Sequence, residues 1–103
     1  MNDPKVVELH DAHVQAYNDN RAISRELASD IMRLAMKVSK PNYSVFASWS
    51  PHVSAVHVDI HNEGWKSDHR AEQSYTVYLD HEEAHDKLRA IQDLIVKWDP
   101  ANQ

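Results

Sequence analysis

Between Tyr43 and Leu79 the apolar residues recur at every second position, and on either side of that stretch they recur every third or fourth. This change of period constrains the chain more than any motif. A period of two lines one face of a strand, and a period near 3.6 lines one face of a helix. The 103 residues are therefore expected to form one α+β domain over 1–103. A helical region over 4–39 is followed by a three-stranded sheet over 42–80 and a C-terminal helix over 81–98.

Asp3 and Pro4 read as the N-cap and first position of a helix. Val6, Leu9, His13, Ala16 and Tyr17 then share one face. Asn18-Asp19-Asn20, three residues that favour caps and turns, interrupt the pattern. Ile23, Leu27, Ile31, Leu34 and Val38 resume it, and Pro41 disfavours helix at the residue before it. A strict heptad register puts Asp30 and Lys37 in the seam, unlike the sustained apolar seam of a coiled coil. The expectation is two helices, or one helix bent at 18–20.

In the middle, Val45, Ala47 and Trp49 alternate with Ser44, Phe46 and Ser48. Val56, Val58 and Ile60 alternate with His57, Asp59 and His61, and Tyr75, Val77 and Leu79 with Thr76 and Tyr78. Ser50-Pro51-His52 and Asn62-Glu63-Gly64 mark turns, and a polar loop carries Trp65. Asp80 can cap the last helix, with Glu83 at its third position and Leu79 stapled on Ala84. Ala84, Leu88, Ile91, Ile95 and Trp98 form its apolar stripe, which Asp99-Pro100 stops. Short connections imply an antiparallel meander with the helices on one face. The expected core is Leu27, Ile31, Leu34, Val56, Val58, Ile60, Val77, Leu79, Leu88, Ile91 and Ile95. So modest a core makes stabilisation by dimerisation reasonable.

Composition removes whole function classes. The absence of cysteine excludes thiol chemistry, disulfide scaffolds and Cys-containing zinc fingers. A lone glycine, Gly64, excludes a P-loop, a Rossmann fingerprint and a GxSxG nucleophile turn. A net charge of −5 is the wrong sign for a phosphate-backbone binder, so nucleic acid is not an expected partner. No stretch is apolar enough for a membrane span or a signal peptide, and the expected location is cytoplasmic.

Eight histidines are the unusual count. His81-Glu82-Glu83-Ala84-His85 matches HExxH, in which two imidazoles four apart on a helix hold zinc beside a glutamate base. No third ligand follows, and acids in a first helical turn are already accounted for by the helix dipole. His57, Asp59 and His61 lie on one strand face, a ligand set known for zinc and non-haem iron, yet residues two apart on a strand are ~7 Å apart. His10 and His13 are a third pair. A histidine-rich metal-binding protein or zinc-dependent hydrolase is therefore the alternative function.

The strand face away from the helices should present Phe46, His57, Thr76 and Tyr78, aromatics with few charges, as suits the centre of a protein interface. Trp65 is a further anchor candidate, unless it folds back over the sheet edge. The element order over 22–98 resembles that of the double-stranded-RNA-binding domain, with Pro41-Asn42-Tyr43 and Pro51-His52 near where that family carries similar residues. The resemblance concerns topology: acidic His81-Glu82-Glu83-Ala84-His85 stands where that family has lysines. The leading expectation is a small, acidic, non-enzymatic protein-binding module that acts as a homodimer. Its composition suits an accessory or inhibitor protein of the kind phages encode. Phe46, His57, Tyr78 and Trp65 would contact the partner.

Overall fold

The computed structural model describes residues 4–102, with side chains from Asp19 onward. The elements are α1 (Pro4–Val38), β1 (Ser44–Ser50), β2 (Ala55–His61), β3 (Gln73–Tyr78), α2 (Ala84–Trp98) and a short 3₁₀ turn (Pro100–Asn102). The expected cap at Asp3, the first apolar stripe and the His10–His13 pair lie outside the described side chains.

α1 is one uninterrupted helix and does not divide at 18–20. Asn and Asp each lower helix propensity by less than ~1 kcal/mol, too little to break a helix anchored just beyond them. That anchor is tertiary. The Asn20 carbonyl accepts from His85 Nε2 at 3.1 Å, and Arg21 pairs with Asp80 at 3.4 Å. At 1.5 Å per residue, α1 is about 52 Å long, against about 24 Å for a seven-residue strand. The helix therefore outruns the sheet, and the molecule measures 63 × 26 × 17 Å.

The buried stripe of α1 is Ser24, Ala28, Ile31, Ala35 and Val38. Leu27 and Leu34 are only partly buried at its flank, and Ile23 is exposed. The helix is thus turned from its expected orientation. Small side chains let its backbone lie close to its neighbours, and the leucines fill the margin of the contact.

The three strands form an antiparallel sheet in the order β1-β2-β3. Its register opposes Val45 to Ile60, Ala47 to Val58 and Trp49 to Val56, then Val56 to Val77, Val58 to Tyr75 and Ile60 to Gln73. These residues face the helices. Val56, Val58 and Ile60 are essentially inaccessible, as the central strand of a one-sided sheet requires. Leu88, Ile91 and Ile95 of α2 close the core. Trp98, expected on that stripe, stays partly exposed, with Lys97 Nζ 5.7 Å from its ring centre. β3 ends at Tyr78, so Leu79 lies in the following turn, where its N–H bonds the Ser54 carbonyl at 2.8 Å.

α2 begins at Ala84, three residues later than expected. No side chain caps it, and Glu83 takes the N-cap position. Asp80, the expected cap, is drawn to Arg21 instead. The segment between closes as turns, with His81 N–H on the Tyr78 carbonyl and Ala84 N–H on the His81 carbonyl, each at 3.1 Å.

Tyr43 is fully buried although it precedes β1. Its hydroxyl donates at 2.7 Å to the Ile95 carbonyl, one of the last four carbonyls of α2, which have no partner within the helix. Lys40 Nζ meets Asp99 Oδ1 at 2.6 Å beside it. Together they tie the α1–β1 turn to the end of α2. Removal from water, reinforced by the nearby Asp99 charge, pushes the Tyr43 phenol up to about 12. The Lys40 hydrogen bond, helped by the Ala101 N–H, holds the Asp99 carboxyl below its ordinary value.

Tyr43→Phe leaves the Ile95 carbonyl unpaired and is expected to lower unfolding free energy by about 1–2 kcal/mol in urea titration. The pH dependence has two signs. Asp99 has a depressed folded value, so its contribution is complete above ~3.9 and is lost as pH falls through that lower value. Tyr43 has a raised one, so its contribution is complete below ~10 and is lost as pH rises towards about 12. Thermal melts of Lys40→Met and Tyr43→Phe should each lose one arm of this profile.

Candidate partner-binding face

The register fixes the outward face in four rows. Ser44 stands beside His61, then Phe46 beside Asp59 and Ser74, then Ser48 beside His57 and Thr76, then Ser50 beside Ala55 and Tyr78. The face carries no Lys or Arg. Phe46 and Tyr78 are about half exposed and occupy opposite corners, about 14 Å apart along the strands at ~7 Å per row.

The centre of the face is a closed polar chain. His57 Nδ1 and Thr76 Oγ1 are 2.8 Å apart, His57 Nε2 and Asp59 Oδ1 2.9 Å, and Ser74 Oγ donates to Asp59 Oδ1 at 2.6 Å. An ionised carboxylate only accepts, so Nε2 donates to Asp59, and in a neutral imidazole Nδ1 then accepts from the Thr76 hydroxyl. The order hydroxyl–imidazole–carboxylate is that of an activated nucleophile. Here it lies on an open sheet whose central-strand N–H groups are engaged in ladders on both sides, so they are not free to hold an oxyanion above it. The chain satisfies the polar centre internally, and Phe46 and Tyr78 stay half exposed beside it.

His61 is buried although it belongs to this face, and the Phe46 ring meets it edge-on at 5.4 Å. Both His57 nitrogens are occupied and His61 lies under Phe46, so His57, Asp59 and His61 do not converge on one point. At the other corner, Tyr78 stacks on His81 at 5.3 Å.

His81 lies outside α2, in the turn before it, whereas His85 is in the helix's first turn. The HExxH residues therefore do not stand on one helix, a consequence of its later start. His81, Glu82 and His85 line a cleft of about 510 Å³ with Asn20, Arg21, Ser24, Leu79 and Asp80. The His85 nitrogen there is held by the Asn20 carbonyl. Among the described residues, no three His, Asp or Glu side chains come together as a metal site.

The 62–72 loop returns to the Ser44 end of the face. Gly64, the lone glycine, is buried at φ +90°, and a Cβ there would overlap the Pro41 carbonyl. Gly64 thus lets the loop pass close under the 40–43 turn. Beyond it, Trp65 N–H donates to Ser44 Oγ at 3.1 Å. Glu72 accepts from Asn62 N–H at 3.0 Å, and hydrogen bonds from its own N–H and that of Asn62 hold its carboxyl below the ordinary value. Trp65 is 59% exposed. Phe46, His57, Tyr78 and Trp65 all belong to the outward face or its border. The sequence reading missed Ser74, which becomes visible only once the register sets it opposite Asp59.

Gly64→Ala is expected to cost at least about 2 kcal/mol, because overlap with Pro41 adds to an unfavourable positive φ. Differential scanning calorimetry measures the loss.

Comparison with protein-family models, curated proteins and solved structures finds no match.

Proposed function

We propose that this chain is a small, non-enzymatic protein-binding module, acting in the cytoplasm as a homodimer. Its outward sheet face and Trp65 take the partner. The observation that carries the reading is the pairing of exposed Phe46, Tyr78 and Trp65 with a polar centre already hydrogen-bonded to itself. Exposed aromatics add contact area at small entropic cost, and the satisfied centre demands few new hydrogen bonds from a partner. The lack of Lys and Arg on this face favours a protein over a nucleic-acid backbone. Acidic composition and the absence of cysteine suit an accessory or inhibitor protein, including the phage type. Among the described residues, no helix is long and apolar enough to cross a membrane.

The double variant Phe46→Ser/Tyr78→Ser tests it. Immobilised wild-type chain and double variant are compared for capture of proteins from a host lysate, and captured species are then titrated. Two anchors at about 1–2 kcal/mol each correspond to a loss of roughly 30-fold or more. Asp93→Ser on the exposed side of α2 should leave capture unchanged and stay within about 0.5 kcal/mol of wild type, and circular-dichroism melts should show the double variant still unfolding cooperatively. Equal binding by the double variant defeats the reading.

A further inference from the structure

The outer edge of β1 is open over only two residues. The N–H and C=O of Tyr43 are both bonded to Lys40, and those of Val45 to the Ser39 hydroxyl. Backbone groups of these odd-numbered residues therefore point away from β2. By alternation, Ala47 and Trp49 point the same way, and among the described residues no hydrogen bond outside the sheet reaches them. β1 also lacks the usual protections of an edge: Ser44–Ser50 contains no charge and no proline.

Beside this open stretch the surface is apolar. A cleft of about 430 Å³ lies between α1 and β1, lined by Met32, Ala35, Met36, Val45 and Ala47 among others. A second, of about 410 Å³, adjoins Trp49 with Ala28 and Met32. Trp49 faces the helix side yet is 41% exposed, and Met36 is 75% exposed.

We propose that β1 pairs antiparallel with β1 of a second copy about a two-fold axis at Ser48. This gives the homodimer of the proposed function its interface. The register follows from the free groups. Placing the axis at Ser48 sets Ala47 opposite Trp49 of the second copy, and the two symmetric pairs satisfy all four N–H and all four C=O groups left open. Neither Ser39 nor Lys40 has to release its bonds. On the helix side, the large Trp49 ring meets small Ala47 and enters the cleft beside Met32 and Met36 of the second copy. The dimer would be a continuous six-stranded sheet with both outward faces on one side.

The chain has no cysteine, which makes the test clean. In this register Ser48 faces Ser48 of the second copy as a non-hydrogen-bonded pair, with Cα atoms ~4.5 Å apart, within disulfide reach. Ser48→Cys should cross-link as a dimer under mild oxidation. Ser50→Cys, whose copies would be about 14 Å apart, should not. Ala47→Pro removes an N–H that faces away from β2, so a folded monomer is expected by sedimentation equilibrium where the wild type is dimeric. Trp49→Lys should give the same monomer. A monomeric wild type, a dimeric Ala47→Pro, or equal cross-linking of both cysteine variants overturns the proposal. Phe46→Ser/Tyr78→Ser leaves the open backbone groups untouched, so loss of dimerisation and loss of partner capture are read separately.

Discussion

The contact between Tyr43 and the end of α2 joins the two halves of the fold. A helix ending in a small domain leaves carbonyls that water or a side chain must satisfy. Here the Tyr43 hydroxyl reaches the Ile95 carbonyl across 52 residues of sequence, and Lys40 reaches Asp99 across 59. Both anchors sit within the 40–43 turn, where Lys40 and Tyr43 exchange backbone hydrogen bonds of 2.8 and 3.0 Å. One short turn thereby sets where β1 begins, where α1 ends and where α2 comes to rest. Gly64 passes beneath the same turn, so the Trp65 loop is placed by it as well.

Element types were legible because they depend on local period. The strands alternate, the last helix repeats at helical spacing, and the meander follows from short connections. The register of burial on α1 was not legible. Hydropathy weights Leu27 and Leu34 above Ser24, Ala28 and Ala35, but a helix packed closely against its neighbours buries its small residues and leaves large ones at the flank. The start of α2 was misplaced for a related reason. Asp80 is a good local cap, and Arg21, 59 positions earlier in the chain, competes successfully for its carboxylate. Both differences come from interactions between residues far apart in sequence.

The same division holds at the candidate site. Alternation alone assigns Phe46, His57, Thr76 and Tyr78 to one face. Pairing determines what that face is chemically. Only the register sets Ser74 against Asp59 and Thr76 against His57, and these pairings turn an apparent ligand set into a closed hydrogen-bond chain. A histidine count cannot distinguish the two, because both need imidazole next to carboxylate. In this structure the two His57 ring nitrogens meet Thr76 and Asp59.

Strand edges are normally a hazard, blunted by charge, proline or bulges. This chain shields Tyr43 and Val45 through Lys40 and Ser39, and leaves Ala47 and Trp49 open beside an apolar cleft. Partial shielding does more than leave an edge free: it sets the register, because a partner strand can engage only the groups that remain. In the proposed dimer, two residues of different size, small Ala47 and large Trp49, complement themselves about a two-fold axis. A heterologous strand would need to supply both the register and the bulky side chain, whereas a second copy of this chain already has them.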